Sequence, residues 1–147
     1  MSAYARFCVI SFIMKALTIK PPWAWAIVHA GKDIENRSWN TNVRGTIAVH
    51  ASKTVSRSEY ERGVRALRKL SPRAKPRLYE TIVRGAIVGL VDVVGEQHTK
   101  SKWHDRDSYG FVLANPRALK APIPCTGRLR FWEVPAPVKA GISRQQR

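Results

Sequence analysis

Acidic residues are scarce in this chain: 10 Asp and Glu stand against 26 Lys and Arg over 147 residues, for a formal net charge of +16. That shortage points to a polyanionic partner, because a basic face gains affinity by releasing counterions from phosphates. Nucleic acid is the leading class, and plain solubility is the competing explanation. Cysteine is nearly absent as well. Cys8 and Cys125 stand alone with no Cys-x-x-Cys, which excludes a disulfide framework or a zinc knuckle and points to a reducing, cytoplasmic setting. Long apolar runs are missing: Phe7 to Met14 is too short to span a bilayer, and Met14-Lys15-Ala16 is a poor cleavage site for a signal peptidase. No membrane partner is therefore expected. The chain has no Gly-rich phosphate loop, no Gly-x-Ser-x-Gly elbow and no Cys-His-Asn pattern. His98, His104, Asp105 and Asp107 match no ligand spacing, so neither metal nor cofactor is expected.

What is present concentrates near the start. Leu17-Thr18-Ile19-Lys20-Pro21-Pro22-Trp23-Ala24-Trp25 is followed at once by Gly31-Lys32-Asp33-Ile34-Glu35-Asn36-Arg37, so aromatic surface, two cations and a carboxylate crowd an expected helix end. A pocket for something planar and anionic needs that mixture, and few structural duties do.

With 44% hydrophobic residues the length suits one domain. Residues 1–13 read as an N-terminal extension or an edge strand, with Met14 as an alternative start. Residues 17–20 read as a strand stopped by Pro21-Pro22, and Pro22 opens a helix that ends before Gly31. Residues 34–39 and 45–51 read as strands. Ser56-Arg57-Ser58-Glu59 has the capping-box pattern, and Tyr60, Val64 and Leu67 follow at helical spacing, which predicts an amphipathic helix over 57–70. Its basic face (Arg57, Arg62, Arg65, Arg68, Lys69) runs into a Pro-interrupted cationic loop carrying Arg73, Lys75 and Arg77. Residues 85–94 read as a central strand buried on both faces, with Gly89 at a sharp bend. Residues 109–114 are a strand broken by Asn115-Pro116, residues 129–134 close the set, and 135–147 read as a frayed, flexible tail. The class is α+β, a small β-barrel of five or six strands with flanking helices.

Five pieces in order carry a family likeness: Lys20-Pro21-Pro22-Trp23-Ala24, Gly31-Lys32-x-x-Glu35-x-Arg37, Ile47 through Lys53, Gly85 through Asp92, and Tyr109-x-x-x-Leu113-x-Asn115-Pro116 ahead of Pro122-Ile123-Pro124 and Gly127. Over residues 14–134 the chain resembles the ASCH (activating signal cointegrator homology) domain family of the PUA-like superfamily. The resemblance implies a β-barrel with a cleft between barrel and helix that takes RNA, lined here by Gly31, Lys32, Glu35 and Arg37. It also implies two enzymatic variants, a ribonuclease and an amidohydrolase acting on N4-acetylcytidine. In the second, threonine stands where this chain has Glu35, so that mechanism does not carry over unchanged.

The candidate site follows from these residues. Lys32, Glu35 and Lys53 are the catalytic candidates: Glu35 as general base in a metal-independent hydrolysis, the lysines and Arg37 neutralising developing charge. A Glu35–Arg37 ion pair is the structural alternative, since both side chains point to one face of an extended segment. Trp23 is the candidate for stacking on a base, with Trp25 in the core. Lys53, Ser52 and His50 lie at the end of a strand, where side chains reach a cleft. The basic helix and loop from Arg57 to Arg77 would meet phosphates, and Tyr109 would hydrogen-bond a ligand. The expected partner is single-stranded RNA, with DNA or a modified nucleoside as further candidates.

Overall fold

The computed structural model describes residues 13–96 and 100–147; Cys8, His98 and the expected extension or edge strand within residues 1–12 lie outside the described residues. The elements run β1 (Lys15–Ile19), α1 (Trp23–His29), β2 (Ile34–Arg37), β3 (Gly45–Ala51), α2 (Arg57–Leu70), a 3-10 turn (Tyr79–Thr81), β4 (Ala86–Glu96), β5 (Tyr109–Pro124), β6 (Phe131–Glu133) and α3 (Ala136–Gln145). Among the described residues six strands form one curled sheet in the order β2-β5-β4-β3-β1-β6, an α+β half-barrel with three helices, and the β1–β3 pairing alone is parallel.

β3 lies between two apolar clusters, and its alternation assigns each side chain to one of them. Ile47, Val49 and Ala51 join Leu17, Ile27, Val91 and Phe111 beneath α1. Ala48 faces the other way, into a cluster with Ile87, Leu90, Trp132 and Ile142. His50 shares that face and meets Trp132 edge-on at 5.4 Å between ring centres.

The curl brings the edge strand β2 toward β1 and β6. Among the described residues side chains bridge that gap in place of a backbone ladder. Arg37 Nη2 donates to the Thr18 carbonyl at 2.9 Å, and Trp39 packs edge-on against both Phe111 and Phe131, at 5.3 and 5.8 Å.

The expected serine cap forms, with Ser56 Oγ accepting from the Glu59 backbone N–H at 3.1 Å, while the Glu59 carboxylate accepts from Lys20 Nζ instead of completing the box. Two expectations are corrected. Asn115-Pro116 does not break β5, which runs on to Pro124. Asn115 takes up a left-handed conformation (φ 53), its side chain donates to Asp92, and shifts in the β4–β5 register absorb the irregularity. Residues 135–147 are not a frayed tail: 136–145 form α3, which fully buries Ile142 and clamps β5 through the Gln145 amide, bonded to both the Ala121 N–H and C=O. Among the described residues no helix is long and apolar enough to cross a membrane.

Candidate nucleic-acid interface

Two separate groups emerge from the residues singled out in the sequence. The first gathers at the barrel's closure. Gly31, in the left-handed region at φ 72, turns the chain from α1 into β2 and brings Lys32 back beside it. Lys32 and Glu35 are each 6% exposed. Glu35 Oε1 accepts from Lys32 Nζ and Oε2 from Arg37 Nη2, both at 3.0 Å, and Lys32 also donates to the Ile34 carbonyl. Burial alone would push the Glu35 carboxyl up. The charges of Lys32 and Arg37 and their hydrogen bonds outweigh it and hold the group below the ordinary carboxylate range. Both oxygens are thus committed, and a carboxylate so stabilised is a weak base. The structural ion pair weighed against catalysis is present, enlarged to a three-residue clip.

Trp23 stands beside this clip, with Lys32 Nζ 5.9 Å from its ring, and packs against two apolar clusters. Both tryptophans are half-buried and both pack against the Ala26–Ile34–Leu67–Trp103 cluster; Trp23 is wedged among Lys32, the core and α2, and Trp25 in addition lines a surface cavity.

The second group surrounds an open cleft of about 1100 Å³. Ser52 and Lys53 enter from the end of β3, Arg84 from the segment before β4, and Thr126 and Arg128 from the β5–β6 loop, with Thr18 at its base. Among the described residues no acidic side chain lines it. Arg84 is steadied against the Tyr79 ring at 5.0 Å. Gly127 holds the loop close: a Cβ there would fall 2.7 Å from both the His50 ring and Thr18 Oγ1, so only glycine permits the approach. The loop's far end is fixed by Arg130, itself at φ 54, whose guanidinium lies 4.9 Å over Trp39.

His50 belongs to the floor of this cleft but is 1% exposed, which corrects its expected role in contacting a ligand. Its Nε2 sits 2.7 Å from the Cys125 carbonyl, to which it donates. Burial lowers its pKa against a smaller opposing effect of that bond, so the ring is held neutral. Lys53 does not join the Lys32–Glu35–Arg37 clip. The two groups share Thr18, whose carbonyl accepts from Arg37 while the residue itself lines the cleft.

The remaining basic residues divide further. Arg57 is tied to Glu61 and Glu80 and stacks on Tyr79 at 4.8 Å, with its side chain still half-exposed. Arg62, Arg65, Arg68, Lys69, Arg73, Lys75 and Arg77 are exposed on α2 and its following loop, and none lines the cleft. Tyr109 is half-exposed beside Asn40 and Arg106, in a different concavity.

Sequence reasoning missed Arg84, Thr126 and Arg128. The only signal was adjacency, since Arg84 and Arg128 flank Gly85 and Gly127, two glycines within the quoted motif pieces.

A family model described as "ASCH domain" matches residues 17–122. Activating signal cointegrator 1 of Homo sapiens is 28% identical over 137 residues, and that of Mus musculus 22% over 136. Each alignment covers 87% of this chain and 23% of the relative, so the chain spans about a quarter of the length of the curated proteins it matches.

Proposed function

The chain belongs to the ASCH domain family, and from that premise we propose that it binds RNA as a single strand, gripping the phosphate backbone in the cleft of Lys53, Arg84 and Arg128. One observation carries this reading. Among the described residues three cations from three separate segments converge on an open volume whose lining holds no carboxylate and does hold the hydroxyls of Thr18, Ser52 and Thr126. Cations supply the salt-sensitive attraction to phosphate, and hydroxyls supply positioning hydrogen bonds.

Binding is favoured over cleavage. A Glu35-dependent hydrolysis needs an accessible carboxylate of ordinary basicity, and Glu35 is buried with both oxygens held by cations. No feature of the site favours hydrolysis of an N4-acylated cytidine.

Labelled single-stranded RNA, incubated with and without EDTA, tests the reading. The wild-type protein retards the RNA in a salt-sensitive manner and leaves it intact, and Lys53→Ala and Arg128→Ala each weaken binding about three- to tenfold. Cleavage that survives EDTA and disappears in Lys53→Ala would replace this reading with a ribonuclease. Absence of binding at low salt would overturn it. The same oligonucleotide in DNA form reports whether the 2′-hydroxyl is read.

A further inference from the structure

On the other side of the chain segments that build the cleft lies a second concavity, a partly enclosed cavity of about 320 Å³ between α1, α2 and the later part of β5. It shares no lining residue with the basic cleft. Ala51 and Val83 face it, while their neighbours Ser52 and Arg84 face the cleft. None of Lys32, Glu35 and Arg37 lines it.

Its surface is mainly apolar and in part flat. Trp25 and Tyr60 present aromatic rings, Pro21 and Pro22 add rigid faces, and Val83 and Leu119 complete the wall. At the rim stand two exposed cations from different segments, Arg77 and Lys120. Among the described residues neither is in an ion pair.

The walls are fixed in advance of any ligand. Tyr60 Oη donates to the Arg77 carbonyl at 2.6 Å and Tyr79 Oη to the Val55 carbonyl at 2.9 Å, which ties the segment after α2 down over the cavity. Gly63 brings α2 directly onto Pro22, where a Cβ would fall 2.7 Å from the proline ring. A preformed apolar cavity of this size with a few polar groups at one side is the usual form of a small-molecule site.

We propose that this cavity binds a small aromatic carboxylate, whose ring lies against Trp25 and Tyr60 while the carboxylate meets Arg77 and Lys120. Apolar enclosure selects the ring, and the unpaired cations select its single negative charge. The inference stands apart from RNA binding, because the two concavities have separate linings.

Calorimetric titration with indole-3-acetate, and with its neutral amide as control, tests it. The acid binds about five- to tenfold more tightly than the amide, as two partly screened ionic contacts provide. The Arg77→Glu/Lys120→Glu variant, checked by its unchanged melting temperature, loses that preference. Val83→Trp fills the cavity and abolishes binding of both compounds, with Leu119→Trp as the alternative filler should the first variant fail to fold. Equal affinity for acid and amide, undiminished binding in a folded filled variant, or no heat up to millimolar ligand would overturn the inference. Displacement of the acid by single-stranded RNA would overturn it too, since the cavity would then belong to the nucleic-acid surface.

Discussion

Glu35 shows how one buried charge is made tolerable and what that tolerance costs. Its two oxygens satisfy Lys32 and Arg37 at once, and Arg37 spends a further hydrogen bond on Thr18 across the barrel's gap. Replacing Glu35 by Gln leaves a nearly buried ammonium uncompensated, which costs about 3 kcal/mol. Urea denaturation at neutral pH measures the loss. The pH dependence follows from the depressed carboxyl. Its contribution is complete above the ordinary value of 4.5 and is lost as pH falls through the lower folded value. Wild-type stability therefore declines as pH falls from 4.5 toward the lower folded value, and Glu35→Gln removes the part of the decline due to this group. Gly127→Ala is a second residue-scale test. Its methyl would collide with His50 and Thr18 Oγ1, so the loop must lift or the core must shift, costing about 1–3 kcal/mol in thermal melts. The spacing of Glu35 and Arg37 in the sequence announced their ion pair, and only the structure added Lys32 to it. It did not reveal whether the clip serves chemistry or closure, because side-chain alternation gives a shared face and not its burial.

At the scale of elements, α2 is the piece most fully written in its own residues. A serine cap, a first-turn glutamate and apolar residues at helical spacing specify it without reference to the rest of the chain. Ser56→Ala should cost about 1 kcal/mol, read by chemical denaturation. α3 is the opposite case. It has no side-chain cap and no acidic residue in its first turn, and it depends on docking Ile142 against Trp132, Ile87 and Leu90. Ile142→Ala should cost about 2–4 kcal/mol if α3 is integral, and almost nothing if the segment frays. β5 teaches a similar lesson. Asn115-Pro116 has the local chemistry of a strand end, yet pairing with β4 continues on both sides of it, because a left-handed asparagine and offsets in register cost less than abandoning the ladder. Local signals gave the positions of most strands and missed the two features sustained by distant partners.

For the molecule as a whole, the excess of basic residues is distributed with a purpose that composition cannot express. Arg57 is ion-paired on the surface, the other cations of α2 and its loop lie open, and Lys53, Arg84 and Arg128 meet across a cleft. Binding of single-stranded RNA should weaken with salt, with a logarithmic slope of about 0.7 per phosphate neutralised. Lys53→Ala and Arg84→Ala should each reduce that slope by about one contact, measured by titration over a salt series. Substitutions confined to α2, such as Arg65→Ala, report whether the strand extends beyond the cleft. The sequence by itself determined the α+β class, most of the strand boundaries, the cap and length of α2, the pairing of Glu35 with Arg37, and the excess of positive charge. These depend on residues close together in the chain or on composition. The tertiary structure alone decided that Trp25 and not Trp23 faces a cavity, that His50 is sealed under Gly127, and that Arg84 and Arg128 join Lys53. Each of those outcomes depends on how a curled sheet brings its distant strand ends together, and that information is not held by any short stretch of the chain.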